Sequence, residues 1–196
     1  MEKPSGWEEG IVRSLATMGE MSGLYPRGHP ERVARLSCAL ASEMDFPQTE
    51  ITALQVMGIL HDIGKAVVPK EILSKPVALN ALEKQILQSH PQAGYEIIKE
   101  IAFPSPVALA VLQHHEKING SGYPQGLSGE DFIREARILA VAESVEDMAS
   151  CQLHRPAIGL EAALQEIEKN KGILYDAEIA EACLLLFREK GFKLEV

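Results

Sequence analysis

His114-His115-Glu116-Lys117-Ile118-Asn119-Gly120-Ser121-Gly122-Tyr123-Pro124-Gln125-Gly126 joins two adjacent imidazoles to a stretch that cannot stay helical, because glycines and a proline alternate along it. The pair therefore stands at a helix end, ahead of a shaped loop. Upstream, His61-Asp62-Ile63-Gly64-Lys65 repeats the logic, with a histidine and a carboxylate next to each other and a glycine close behind. Adjacent residues on an α-helix point about 100° apart, so either pair converges on one ion only at a helix end or kink. His29 at a helix start and His90 ahead of Pro91 bring five of the six histidines into settings suited to ligation. A set of imidazoles and carboxylates suits Fe, Mn or Zn. The residues thus point to a metal-dependent hydrolase.

Working outward, apolar residues recur at a spacing near 3.6 almost throughout, which predicts an all-α domain. A first helix is expected over 6–21. A second begins near His29 or Pro30 and stops before Asp45-Phe46-Pro47. Thr49 is expected to cap a third, whose Ile51, Leu54, Met57 and Ile59 run into His61-Asp62. Asn80 with Glu83 three residues on has the spacing of a capping box. Pro91 forces a kink or a new start. Helix is expected to continue to Ile101, to restart after Pro104-Ser105-Pro106 and to end at the 114–115 pair. Further helices are expected over 131–150, 159–170 and, capped by Asp176, through about Lys190.

At 196 residues, one domain with one core is the natural expectation. The residues are 46% hydrophobic but only 5% aromatic, so the interior is built from Leu, Ile, Val and Ala, which favours packed helices. The formal net charge of -9 excludes a general DNA or RNA binder, which needs a basic stripe against phosphates. An anionic substrate then requires local positive charge, and metal ions supply it. Cys38, Cys151 and Cys183 are widely spaced with no CxxC pair, which fits reducing cytoplasm rather than a disulfide framework or a thiolate zinc site. No stretch has the length and apolarity of a membrane span.

At this point the chain resembles the HD-GYP branch of the HD superfamily of metal-dependent phosphohydrolases. The resemblance runs from about His29 to Phe192 and is carried by HDIGK at 61–65, SKP at 74–76, HP at 90–91 and HHEKINGSGYPQGLSGE at 114–130. It implies an HD-type helical bundle with a histidine-rich binuclear centre, over residues 26–196, with 1–25 an N-terminal helix or the remnant of an upstream region. It also implies hydrolysis of cyclic di-GMP to pGpG or GMP through a metal-bridging hydroxide. Carried over by position, His29, His61, Asp62 and Glu143 hold one divalent ion. Bridging Asp62, with His90, His114 and His115, holds the other. Fe or Mn stand ahead of Zn, Ni and Mg. Lys65 contacts the scissile phosphate, with Asp62 and Lys65 the catalytic pair and Arg155 a second substrate contact. Gly120, Gly122, Tyr123 and Pro124 shape the loop.

The chain departs from the family pattern at particular positions. Glu143 and Glu146 stand where aspartates are usual, each moving its carboxylate outward by about 1.5 Å, one carbon bond. Gln152 replaces an arginine, Asn119 a common aspartate, and Tyr25 the glutamate of members with a third metal site, so two metals are expected rather than three. Two other readings stay open. One is a weakly catalytic or inactive metal-binding module that senses cyclic di-GMP or docks a signalling partner. The other is a phosphohydrolase for another nucleotide, including an adenine-containing cyclic dinucleotide. Blander roles also stand beside the sharp ones: Glu143 as a solvated helix carboxylate beside Glu146 and Asp147, Lys65 as a helix-end cation, and the apolar stripe of Ile179, Cys183, Leu186 and Phe187 as core. Spare apolar surface on that last helix is a candidate homodimer face.

Overall fold

The structure is a computed structural model, and it describes residues 10–12, 14, 15, 17, 28–151 and 157–194. Among these the chain is helical, with two isolated bridges in place of a sheet. The helices are α1 (His29–Glu43), α2 (Gln48–Leu60), a 3₁₀ turn (Ile63–Val67), α3 (Lys70–Leu73), α4 (Ala81–Leu87), α5 (His90–Ile98), α6 (Val107–Gln113), α7 (Arg134–Ala149), α8 (Leu160–Lys169) and α9 (Ala177–Arg188). The expected helix over 6–21 lies largely outside the described residues, as do Tyr25, Gln152, His154 and Arg155. No described helix is long and apolar enough to cross a membrane.

Local chemistry explains most of the boundaries. The Asn80 side chain accepts from Glu83 N at 2.9 Å while the Glu83 carboxylate accepts from Asn80 N at 2.8 Å, closing the capping box that opens α4. Pro91 falls in the first turn of α5, where a missing N–H costs no hydrogen bond. Asp176 caps α9 by accepting from Glu178 N and Ile179 N. The expected Thr49 cap is corrected: Pro47 occupies the N-cap, and its carbonyl accepts from Glu50 N and Ile51 N, so Thr49 lies inside the first turn of α2. α7 likewise starts at Arg134 rather than 131, because the Gln113 side chain takes the Ile133 N–H at 3.1 Å and anchors the approach to the helix.

α1 packs against α2 and α7, α5 against the 3₁₀ turn and α6, and α7 against α8. One apolar core runs through Leu36, Leu40, Leu54, Met57, Val111, Ile138, Val145, Ile167 and Ile179. Ile179, Cys183 and Leu186 belong to it, so the stripe on α9 is interior packing. Two glycines let backbones approach closely. A Cβ on Gly58 would lie 2.4 Å from Ala34 Cα, where α2 crosses α1. One on Gly64 would lie 2.0 Å from His90 O, where the 3₁₀ turn meets the start of α5. The second contact carries Asp62 up to His90, so the glycine in HDIGK is a packing requirement. Gly64→Ala should destabilise the protein by about 2 kcal/mol or more, because backbone must move on both sides. Urea denaturation checks this, and an unchanged midpoint would contradict the contact.

Candidate metal centre

Five histidines and two carboxylates meet where helix ends converge. His29 is the first residue of α1 and His90 the first of α5, while His61 ends α2 and His114 ends α6. Asp62 leads into the 3₁₀ turn, His115 follows α6, and Glu143 projects from the middle of α7. His29, His61, His90 and His114 are almost fully buried, as are Asp62 and Glu143.

The last carbonyls of a helix lack intrahelical partners, and three of these rings supply one. His61 Nδ1 donates to Gly58 O at 2.7 Å, His90 Nδ1 to Leu87 O at 2.7 Å and His114 Nδ1 to Val111 O at 2.6 Å. A carbonyl only accepts, so each Nδ1 carries the proton and each Nε2 in the neutral ring presents a lone pair inward. His29 is held differently. Its Nδ1 is hydrogen-bonded to the Glu146 carboxylate, which also accepts from Arg32 Nε at 2.7 Å and Ser150 Oγ at 2.6 Å.

The inward-facing nitrogens come in pairs: His29 and His61 Nε2 are 3.3 Å apart, His90 and His114 Nε2 3.4 Å. Two ligands about 2.1 Å from one ion stand about 3.0–3.4 Å apart in octahedral or tetrahedral geometry. Asp62 lies between the pairs. Its Oδ1 is 3.2 Å from His90 Nε2, and its Oδ2 is 3.4 Å from His61 Nε2 and 3.7 Å from His29 Nε2. Donor atoms of His29, His61, Asp62 and Glu143 fall within 4.8 Å of one another, as do those of His90, His114 and His115. Glu143 Oε1 is 3.8 Å from His61 Nε2 and 3.6 Å from His115 Nε2.

Asp62 Oδ1 and Glu143 Oε1 are buried and accept no hydrogen bond. An unsatisfied buried carboxylate oxygen is costly unless a cation faces it. The donor set therefore fits divalent metal, by its chemistry, its spacing and these two oxygens.

The charge states tell the same story. Burial disfavours charge on His29, but hydrogen bonds to Asp62 and Glu146 and the Asp147 charge outweigh it and raise the imidazole to about 9. Burial pushes Glu143 up, helped by the Asp62 and Asp147 charges, to about 8. Burial also opposes charge on Asp62, yet Lys65 and His61 hold it well below the usual carboxylate range. Glu146 resists burial through its bonds to His29, Ser150 and Arg32 and falls to about 2. Burial, then the neighbouring imidazoles, keeps His114 and His115 well below the ordinary histidine value, hence neutral and ready to ligate.

Most residues expected from sequence are thus brought together: His29, His61, Asp62, His90, His114, His115 and Glu143. Lys65 is buried, and its Nζ bonds Asp62 Oδ2 at 2.5 Å. In the loop, Gly120 takes a positive φ of 76°, and a Cβ on Gly122 would lie 2.5 Å from Glu116 Cα. Tyr123 stacks on His115, with ring centroids 4.6 Å apart. Three residues were missed. Glu146 is fully buried, Asp147 joins His29 and Glu146 in a third donor group, and Glu116 is fully buried under the loop, while the burial of Glu143 rules out its blander role as a solvated carboxylate. Spacings of three and four from Glu143 were the available signal for Glu146 and Asp147, since such residues share a helix face.

The HD domain family pattern matches residues 16–179. The chain is 36% identical over 183 residues to a cyclic di-GMP phosphodiesterase of Thermotoga maritima, covering 91% of this chain and 49% of that protein. It is 34% identical over 156 residues to the cyclic di-GMP phosphodiesterase response regulator RpfG of Xanthomonas campestris, covering 79% and 41%. Among solved structures, a cyclic GMP-AMP specific phosphodiesterase of Vibrio cholerae superposes with a TM-score of 0.70 at 20% identity, covering 91% of this chain and 48% of that one. The chain belongs to the HD domain family, within its HD-GYP branch. It spans about half or less of the length of these relatives.

In metal-free protein, His29 and Glu143 both hold protons in the folded state that the unfolded chain has released by neutral or mildly alkaline pH. Their folded values of about 9 and about 8 exceed the ordinary 6.5 and 4.5. The folded state therefore binds more protons between about pH 6.5 and 9, and stability falls as pH rises through that window. The expected loss is a few kcal/mol, since each tenfold difference in proton affinity between folded and unfolded chain corresponds to about 1.4 kcal/mol. Urea midpoints of chelator-treated protein check it, and a midpoint rising from pH 6.5 to 9 would contradict these charge states.

Proposed function

We propose that this chain is a metal-dependent phosphodiesterase that hydrolyses cyclic di-GMP to pGpG or GMP, with two divalent ions in its centre. One ion is held by His29, His61, Asp62 and Glu143, the other by Asp62, His90, His114 and His115. The observation that carries the reading is the position of Asp62, one oxygen facing His90 and the other facing His61 and His29. A carboxylate so placed would be able to hold an ion on either side. Iron or manganese suits this imidazole-rich, thiolate-free set best. The names of the Thermotoga and Xanthomonas relatives support the substrate class.

When bound, the ions supply Lewis acidity and a water acid enough to attack phosphorus near neutral pH. The protein's own groups do the rest. Lys65, bound to Asp62 Oδ2, keeps that carboxylate ionised and brings a buried cation to the place where phosphoryl oxygens gain charge. Glu146 fixes the His29 ring through Nδ1, leaving Nε2 for the centre. Tyr123, stacked on His115, covers one face of that ring. Arg155, outside the described residues, is proposed as a further phosphate contact. Residues 26–196 are proposed as the catalytic unit, acting in the cytoplasm, with 1–25 an N-terminal helix or the remnant of an upstream region.

One observation favours a second reading, in which the module binds nucleotide but turns it over poorly. Glu143 is the family's aspartate lengthened by a carbon, and burial holds its proton to about 8, so a metal must displace that proton at neutral pH. The Vibrio structure also motivates an adenine-containing cyclic dinucleotide as substrate. A panel of cyclic dinucleotides, assayed anaerobically with Fe(II) or Mn(II), separates these. Linear product from cyclic di-GMP supports the first reading, and binding without product supports the second.

Asp62→Ala should lose both ions and at least about 100-fold in turnover, because it removes the shared ligand and the partner of Lys65 together. Elemental analysis beside the assay reads this, and full metal content in the variant overturns the assignment.

A further inference from the structure

Four of the five histidines in the centre have Nδ1 anchored: His29 by Glu146, and His61, His90 and His114 by backbone carbonyls. His115 makes no such bond among the described residues. Besides its neighbours in the donor cluster, the rings of His114 and His90, it contacts the ring of Tyr123, stacked at an interplanar angle of 26°. Tyr123 is thus the support that His115 receives from outside the donor cluster. Tyr123 belongs to the glycine-rich loop, and that loop closes around Glu116.

We propose that Glu116 is a positioning residue whose carboxylate closes the 119–128 loop, so that Tyr123 stays on the His115 ring and that ring keeps facing the centre. Glu116 is fully buried, and neither a lysine nor an arginine lies within ion-pair distance of it among the described residues. Its two oxygens are used separately, Oε1 accepting from Gln125 N at 2.7 Å and Oε2 from Leu127 N at 2.9 Å. Those amides lie just beyond Tyr123-Pro124, so the carboxylate pins the returning arm of the loop beneath its outgoing arm. Gly122 permits this, because any Cβ there would meet Glu116 Cα, His115 O and Lys117 N at 2.5 Å. Tyr123 N donates to His115 O at 3.2 Å, completing the fold-back. Two further bonds tie the base down: Gly129 N to Ile118 O at 2.8 Å, and Ile118 N to Leu174 O at 3.2 Å.

A group with two acceptor oxygens is what this place requires. A carboxylate accepts at both oxygens, and a charge-assisted bond to N–H is about twice as strong as a neutral one. Glutamine has the same shape but one acceptor oxygen, and its NH2 would meet a backbone N–H head on. The loop would then release one arm, and Tyr123 would leave His115. Where the inference extends to metal binding it rests on the proposed centre, but the loop and ring geometry stand apart from it.

The test uses the full chain with Glu116→Gln, Glu116→Asp, Tyr123→Ala and Tyr123→Phe, read by amide exchange, by NMR of the His115 ring and by Mn(II) titration. Glu116→Gln should raise exchange at Gln125 and Leu127 about tenfold or more while α7 amides stay protected, and Glu116→Asp should do so to a lesser degree. The His115 signals should move in Glu116→Gln and in Tyr123→Ala but stay near wild type in Tyr123→Phe, which keeps the stack. Mn(II) affinity should follow the ring signals, with a loss of about tenfold, the size expected when a ligand's supporting partner is removed. Unchanged exchange at those two amides overturns the proposal. So does a freed loop with His115 signals unmoved. A wild-type protein that binds no Mn(II) or Fe(II) would instead overturn the metal reading, and exchange with ring signals would still decide the role of Glu116.

Discussion

The constraint on which this structure turns is the crowding of imidazole lone pairs and carboxylate oxygens into a largely buried space. Facing nitrogens 3.3 and 3.4 Å apart, with Asp62 between them, do not attract one another unless something positive is shared. Without an ion, protons serve that purpose, which is why His29 and Glu143 hold theirs so strongly and why Lys65 folds onto Asp62. A divalent cation meets the same need with better geometry, and metal binding is then coupled to proton release.

The helical scaffold is arranged around this constraint. Helix ends are where adjacent residues can turn inward together, and they are also where carbonyls lack partners. A histidine placed three residues beyond such a carbonyl resolves both problems, capping the helix with Nδ1 and aiming Nε2 at the centre. His61, His90 and His114 each do so. Gly58 and Gly64 let the bearing elements approach until backbone touches backbone, which fixes the separation of the donors. Precision comes from packed backbone rather than from long side chains.

Much of this was legible in the amino-acid order, since prolines, a capping box and 3.6-residue spacing mark the helices, and the His61-Asp62 and His114-His115 pairs mark the cluster of donor side chains. What escaped depends on contacts between distant residues. Thr49 has good capping chemistry, but Pro47, two residues earlier, takes the position. Glu146 stands where the family has an aspartate, but its partners emerge only when α7 is laid against α1, where His29 and Arg32 enclose it. Glu116 directly follows two histidines, but that its oxygens face the loop amides shows only in the folded chain. In each instance local pattern gave the residue's chemistry, and long-range packing chose its partner.

Anomalous diffraction from crystals of protein purified without chelator and loaded with Mn(II) or Fe(II) bears most directly on the centre. Two peaks are expected, one among His29, His61, Asp62 and Glu143 and one among Asp62, His90, His114 and His115. A map with no anomalous density between these side chains, at full metal in the solution, would contradict the account.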